Sequence, residues 1–153
     1  MDTEVIVLAA GKGTRMHSAR PKVLHELAGK PLLGHVLDAA ACIAPARIRV
    51  VVGAGGEQIV AAFAGRGLEW VEQLEQRGTA HAVQQALPGL EDAAIALILY
   101  GDVPLIQPAT LEQLLSAARR GALAMVTSFP ADPAGYGRIL RDTQGRVTGV
   151  VEH

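Results

Sequence analysis

Aromatic residues make up only 3% of the chain, so no series of stacking platforms for single-stranded nucleic acid is available, and packing must rely on Ala, Val, Leu and Ile. Charge of one sign is not in excess either. Lys and Arg number 14 against 15 Asp and Glu, a formal net charge of -1, which denies the chain the broad basic surface of a DNA- or RNA-binding protein. Cys42 is the sole cysteine, so an internal disulfide is excluded and a small packed side chain is expected. The histidines at positions 17, 25, 35, 81 and 153 show no short zinc-ligand spacing and have no cysteine pair beside them. They are read as structural. No apolar run reaches the length of a membrane span, and Met1-Asp2-Thr3-Glu4 is acidic where a signal peptide is basic. A soluble, cytoplasmic protein that binds neither nucleic acid nor membrane is expected.

What the chain does have is a hydrophobic fraction of 50% over 153 residues, enough for one core and one domain or part of one. Strand and helix patterns alternate along it. That order predicts an α/β fold with a doubly wound, mostly parallel sheet and helices on both faces. Strands are expected over 5–10, 48–52, 68–71, 95–100, 123–129, 138–140 and 147–151. Helices are expected after Pro31, over 57–63, from Gly78-Thr79 to Ala86, and over 111–118 behind Pro108. Ile95 to Tyr100 is the most apolar strand and is expected at the centre of the sheet.

The first strand ends in Leu8-Ala9-Ala10-Gly11-Lys12-Gly13-Thr14-Arg15-Met16, with Pro21-Lys22 close behind. Glycines at a strand end let backbone N–H groups approach an anion, and Lys12, Arg15, Arg20, Lys22 and Lys30 surround the turn with only Glu26 opposing them. In a nearly neutral chain this is a local positive site, suited to a small phosphorylated ligand. Two phosphate motifs are excluded. A dinucleotide fingerprint requires Gly or Ala where Met16 stands, and a Walker A loop requires Gly where Ile6 stands.

The stretch from Leu8 to Met16 with its downstream Pro-Lys resembles the opening signature of sugar-1-phosphate nucleotidyltransferases. These enzymes share a Rossmann-like nucleotide-diphospho-sugar transferase fold. Val23-Leu24-His25-Glu26-Leu27-Ala28-Gly29-Lys30-Pro31 is similar to one branch, the bacterial bifunctional N-acetylglucosamine-1-phosphate uridyltransferases and glucosamine-1-phosphate acetyltransferases. The resemblance implies phosphate contacts by Arg15 and Lys22 with Lys12 assisting, and backbone donors from Leu8, Ala9, Ala10 and Gly11.

Three later segments bear on it. Tyr100-Gly101-Asp102-Val103-Pro104-Leu105 puts Asp102 at a strand's carboxyl end, where it could hold Mg²⁺ against phosphate oxygens or merely fix the turn before Pro104; spacing alone leaves both open. The resemblance assigns Asp102 to Mg²⁺ and adds Tyr100 and Gly101 to the substrate site. The polar stretch Glu72 to Ala80 reads on its own as a loop with Thr79 as a plain N-cap. By resemblance it is the base-reading loop, with Gln73, Gly78 and Thr79 on the nucleotide. Gly135-Tyr136-Gly137 and the final Val151-Glu152-His153 could be a turn and a fraying end; by resemblance Gly137 and Glu152 contact the sugar.

Val147 to His153 stops within an apparent strand, so a C-terminally truncated domain is expected, with the family's second metal ligand and its acetyltransferase β-helix, through which full-length members trimerise, both absent. The implied reaction joins UTP and N-acetylglucosamine 1-phosphate into UDP-N-acetylglucosamine. Two alternatives stay open: a noncatalytic nucleotide-binding fragment, and a nucleotidyltransferase for another acceptor such as a molybdopterin-type cofactor.

Overall fold

Val5, Ile6 and Val7 follow one another without a polar break because the strand that carries them is covered on both faces. The computed structural model describes residues 1–11, 13, 16–53 and 55–151. Lys12, Arg15 and Glu152 lie outside the described residues. In chain order the elements are β1 (Thr3–Ala9), β2 (Glu26–Leu27), β3 (Lys30–Pro31), α1 (Leu32–Ala41), β4 (Arg47–Gly53), α2 (Glu57–Ala62), β5 (Glu69–Gln73), α3 (Thr79–Ala86), β6 (Ile95–Tyr100), α4 (Pro108–Ala118), β7 (Arg138–Arg141) and β8 (Val147–Val151). A short 3₁₀ turn, Lys22–Leu24, precedes β2.

The main sheet is parallel throughout, in the order β5-β4-β1-β6. Side chains alternate along its strands, so Val5, Val7, Ala9, Val50, Val52, Leu97 and Leu99 meet α1, α4 and the α2 region through Leu33, Val36, Leu37, Leu111, Leu115, Ile59 and Phe63. Ile6 and Val51 meet Ala82 and Ala86 of α3 on the opposite face. The expected doubly wound α/β fold is therefore present. From β1 the chain winds outward through β4 and β5, then returns to place β6 on the other side of β1. This reversal opens a crevice at the carboxyl ends of β1 and β6, where open α/β sheets bind ligands.

Three expectations are corrected. The apolar β6 is an edge strand among the described residues, not a central one, and Ile98 and Tyr100 are exposed because α3, which covers Ile6 and Val51 on the same face, does not extend over β6. Residues 123–129 form no strand, and Phe129 is 100% exposed; no described strand lies alongside to take up their backbone hydrogen bonds. Cys42 caps the end of α1 and is exposed rather than packed. The last two strands pair antiparallel with each other, outside the main sheet. No helix among the described residues is long and apolar enough to cross a membrane.

A buried arginine ties the far end of α3 to the sheet. Arg49 on β4 donates to the carbonyls of Ala86 at 2.7 Å, Pro88 at 3.1 Å and Gly89 at 2.7 Å. It also pairs with Glu69 at 3.0 Å and with Glu4 at 3.3 Å, and the other Glu4 oxygen accepts the Glu91 N–H at 3.3 Å. Side-chain exposure is only 4% for Arg49 and 2% for Glu4. Nothing in the strand pattern marks this polar hub in advance.

Asp38 on α1 is half-buried and paired with Lys30 and with Arg66, each at 2.6 Å. Hydrogen bonds from Lys30 and then Arg66 hold its carboxyl below the ordinary value. A carboxylate depressed in the folded state stabilises above its unfolded value, and that contribution disappears as pH falls through the folded one. Asp38→Asn is expected to cost under about 1 kcal/mol at neutral pH, because both pairs are solvated. In urea unfolding the variant's deficit should shrink below about pH 4.

Candidate functional site

Where the chain leaves β1, backbone geometry brings the basic turn against the end of β6. Gly13 has φ +58°, and a Cβ placed on it would stand 2.7 Å from the Lys22 Cβ, so the position suits glycine on both counts. The Met16 N–H donates to the Gly13 carbonyl at 2.8 Å, closing the turn. Lys22 then enters the 3₁₀ turn and reaches across to donate from Nζ to Asp102 Oδ2 at 2.5 Å. Two residues before Asp102, β6 ends at Tyr100, and the Gly101 N–H donates to the Leu8 carbonyl at 2.9 Å. The lysine and the aspartate, 80 positions apart, thus face each other across the crevice.

A cavity of about 350 Å³ opens there. Of the residues expected in the substrate site, Leu8, Ala9, Ala10, Gly11, Lys22, Gln73, Gly78, Thr79, Tyr100 and Asp102 line it. Gly101 lies between two lining residues without being one. Gly137 is not brought to this cavity; it lines a separate one of about 570 Å³ formed within residues 126–141.

The α3 end of the cavity differs from its plain reading. The N-cap of α3 is Gly78, at φ 95°, and no side-chain bond caps the helix, so the Thr79 hydroxyl is not spent on capping. Gln73 is only 3% exposed, and its amide nitrogen donates to the Gly78 carbonyl at 3.3 Å. Gln76, Val23 and Ala82 also line the cavity and were missed. Gln76 had a signal, since it stands in the same polar stretch as Gln73. Its amide donates to the Ala10 carbonyl at 2.6 Å and so ties the segment between β5 and α3 to the end of β1.

Lys22 and Asp102 keep 39% and 31% of their side-chain surface, so their ion pair contributes little to stability and is readily exchanged for other ions. Asp102 already accepts a cationic partner from the cavity side. No group of three or more His, Cys, Asp or Glu is assembled among the described residues. One carboxylate opening on the cavity beside Lys22 fits a divalent cation of the kind that keeps waters as most of its other ligands.

A family model described as the MobA-like NTP transferase domain matches residues 5–146. The chain belongs to this family. Among curated relatives, the bifunctional protein GlmU of Xanthomonas euvesicatoria pv. vesicatoria (strain 85-10) is 55% identical over 149 residues, which are 97% of this chain and 32% of the relative. The chain therefore spans about a third of that relative's length, and the relative is of the bifunctional branch that the opening motifs resemble. Two solved structures share the NTP transferase architecture. A Mycobacterium tuberculosis protein, crystallised as a manganese complex, is 25% identical with a TM-score of 0.66, the match covering 78% of this chain and 61% of that one. The inositol-1-phosphate CTP transferase of T. maritima matches with a TM-score of 0.71 at 22% identity, over 98% of this chain and 64% of its own, and supports the fold.

Proposed function

We propose that the chain carries the uridylyl-transfer site that makes UDP-N-acetylglucosamine from UTP and N-acetylglucosamine 1-phosphate, a step toward peptidoglycan and lipopolysaccharide precursors. The observation that carries this reading is the cavity at the strand reversal, with the Lys22–Asp102 pair at one end and Gln73, Gly78 and Thr79 at the other. One end suits a charged triphosphate and the other a base edge. The similarity to the Xanthomonas relative supports nucleotidyl transfer to a sugar phosphate, and the choice of UTP and N-acetylglucosamine rests on the motif resemblance.

In this reading a phosphate oxygen of the sugar phosphate forms a bond to the α-phosphorus of UTP while the bond to the β-phosphate oxygen breaks, and pyrophosphate leaves with that electron pair. The attacking oxygen is already anionic, so no general base is required. Positioning and charge neutralisation supply the catalysis. Lys22 turns from Asp102 toward the phosphates, Arg15 and Lys12, outside the described residues, are assigned to the phosphates by the family resemblance, and the backbone of Leu8, Ala9, Ala10 and Gly11 borders the nucleotide. Asp102 would hold Mg²⁺, which when bound neutralises phosphate charge. Gln73, Gly78 and Thr79 take the uracil, Tyr100 and Gly101 flank the acceptor, and Glu152 is assigned to the sugar; Gly137, assigned there by resemblance, stands in the separate cavity and is given no part in this step. Residues 1–153 then form the N-terminal part of the uridyltransferase domain.

Lys22→Ala is expected to lower kcat by about tenfold or more, the size of one charge-assisted contact, with a smaller change in KM. Normal kcat with only a raised KM would reject a transition-state role. The function itself is tested by pyrophosphate release from UTP and Mg²⁺ with N-acetylglucosamine 1-phosphate or a molybdopterin-type acceptor, using this chain and the full-length Xanthomonas relative. Release that requires the sugar phosphate is expected. UTP binding to this chain without release, while the relative is active, would make the chain a nucleotide-binding module; release only with the other acceptor would overturn the sugar assignment.

A further inference from the structure

We propose that His81 decides which base edge the cavity accepts, by holding the Gln73 side-chain amide in one of its two orientations. The inference rests on the uridylyl-transfer reading and adds a specificity determinant to it. Gly78 O can only accept, so the Gln73 atom 3.3 Å from it is the NH₂ group. The same nitrogen lies 3.0 Å from His81 Nδ1. Its second hydrogen therefore points at a ring lone pair, and the His81 proton resides on Nε2. The Gln85 atom 3.2 Å from Nε2 is placed as the amide nitrogen; with the ring proton on Nε2, the Gln85 amide must turn over so that its oxygen accepts. The three side chains form one directed chain of hydrogen bonds, and water has little access to replace it because Gln73 is almost fully buried.

Both Gln73 amide hydrogens are thus engaged away from the ligand. Its Oε1 has no partner among the described residues and is not one of the polar atoms sealed from solvent without one. The cavity that Gln73 lines is its outlet. An acceptor fixed there matches a ring N–H, as at N3 of uracil, whereas cytosine presents a lone pair at N3. A site built around one polar group discriminates strongly against a ligand that leaves that group unpaired. His81 is a positioning residue: it acts on the base through Gln73.

Two measurements on the 153-residue chain test this. The ¹⁵N shifts of the His81 ring in the nucleotide-free protein should show the Nε2–H tautomer; an Nδ1–H ring would overturn the proposal whatever any variant does. Calorimetric titration with UTP and with CTP, in Mg²⁺, should show preference for UTP. In His81→Leu the preference should fall about tenfold, the size of one hydrogen-bond mismatch, and His81→Asn, whose Oδ1 can stand where Nδ1 stood, should restore most of it. UTP binding with an undiminished preference in folded His81→Leu overturns the His81 role alone. Failure of the wild-type chain to bind UTP overturns the uridylyl-transfer reading beneath it.

Discussion

Asp102→Asn is expected to lower pyrophosphate release under the proposed function by about a hundredfold or more, the loss typical of removing one electrostatic contact to developing charge, while the fold survives. Asparagine keeps the shape of the aspartate and discards its charge. The stability cost stays below about 1 kcal/mol because the Lys22–Asp102 pair is solvated. What is lost is the carboxylate at the carboxyl end of β6 that, under the proposed function, would hold a cation against the phosphates. Titrating Mn²⁺ by electron paramagnetic resonance separates the two residues. Asp102→Asn should weaken Mn²⁺ binding, whereas Lys22→Ala in nucleotide-free protein should not, because Lys22 Nζ and a metal ion compete for the same oxygen at 2.5 Å. Equal weakening in both variants would mean that Lys22 builds the cation site rather than occupying it.

Arg49→Leu destabilises the protein by about 3–5 kcal/mol, a large part of the total for a domain of this size. The variant leaves Glu4 buried without its cation, leaves the carbonyls of Ala86 and Pro88 without the Arg49 donor, and leaves Gly89 only the longer bond from Arg47 at 3.4 Å. The effect reaches function through α3. Arg49 clamps the carboxyl end of that helix to the sheet, and its amino end carries Gly78 and Thr79 into the cavity. Urea unfolding measures the loss, and adding Glu4→Gln should recover part of it by removing the uncompensated charge. A loss under about 1 kcal/mol would show that the network contributes no more than an exposed ion pair.

The helices and the parallel strands were legible because apolar residues recur at the spacing each element buries. Pro108 starts α4, and the unbroken Val5-Ile6-Val7 run marks a strand covered on both sides. Sheet order was not legible in the same way. Ile95 to Tyr100 is apolar enough for a central strand, but apolarity reports burial and not position, and β6 lies at the edge of the described sheet. The candidate site was legible where chemistry demands unusual residue types: glycines at a strand end, a lysine after a proline, an aspartate after an apolar strand. Gln76 and His81 escaped because each acts through another group: Gln76 on the Ala10 carbonyl, 66 positions away, and His81 on the Gln73 amide across the turn between β5 and α3, whose geometry residue types do not reveal.

A crystal structure of the chain soaked with UTP and Mn²⁺ tests the central claim most directly. The anomalous manganese peak should sit against the Asp102 carboxylate, with the triphosphate at Lys22 and the uracil N3–H on Gln73 Oε1. Nucleotide in the cavity of residues 126–141, or manganese bound away from Asp102, would contradict it.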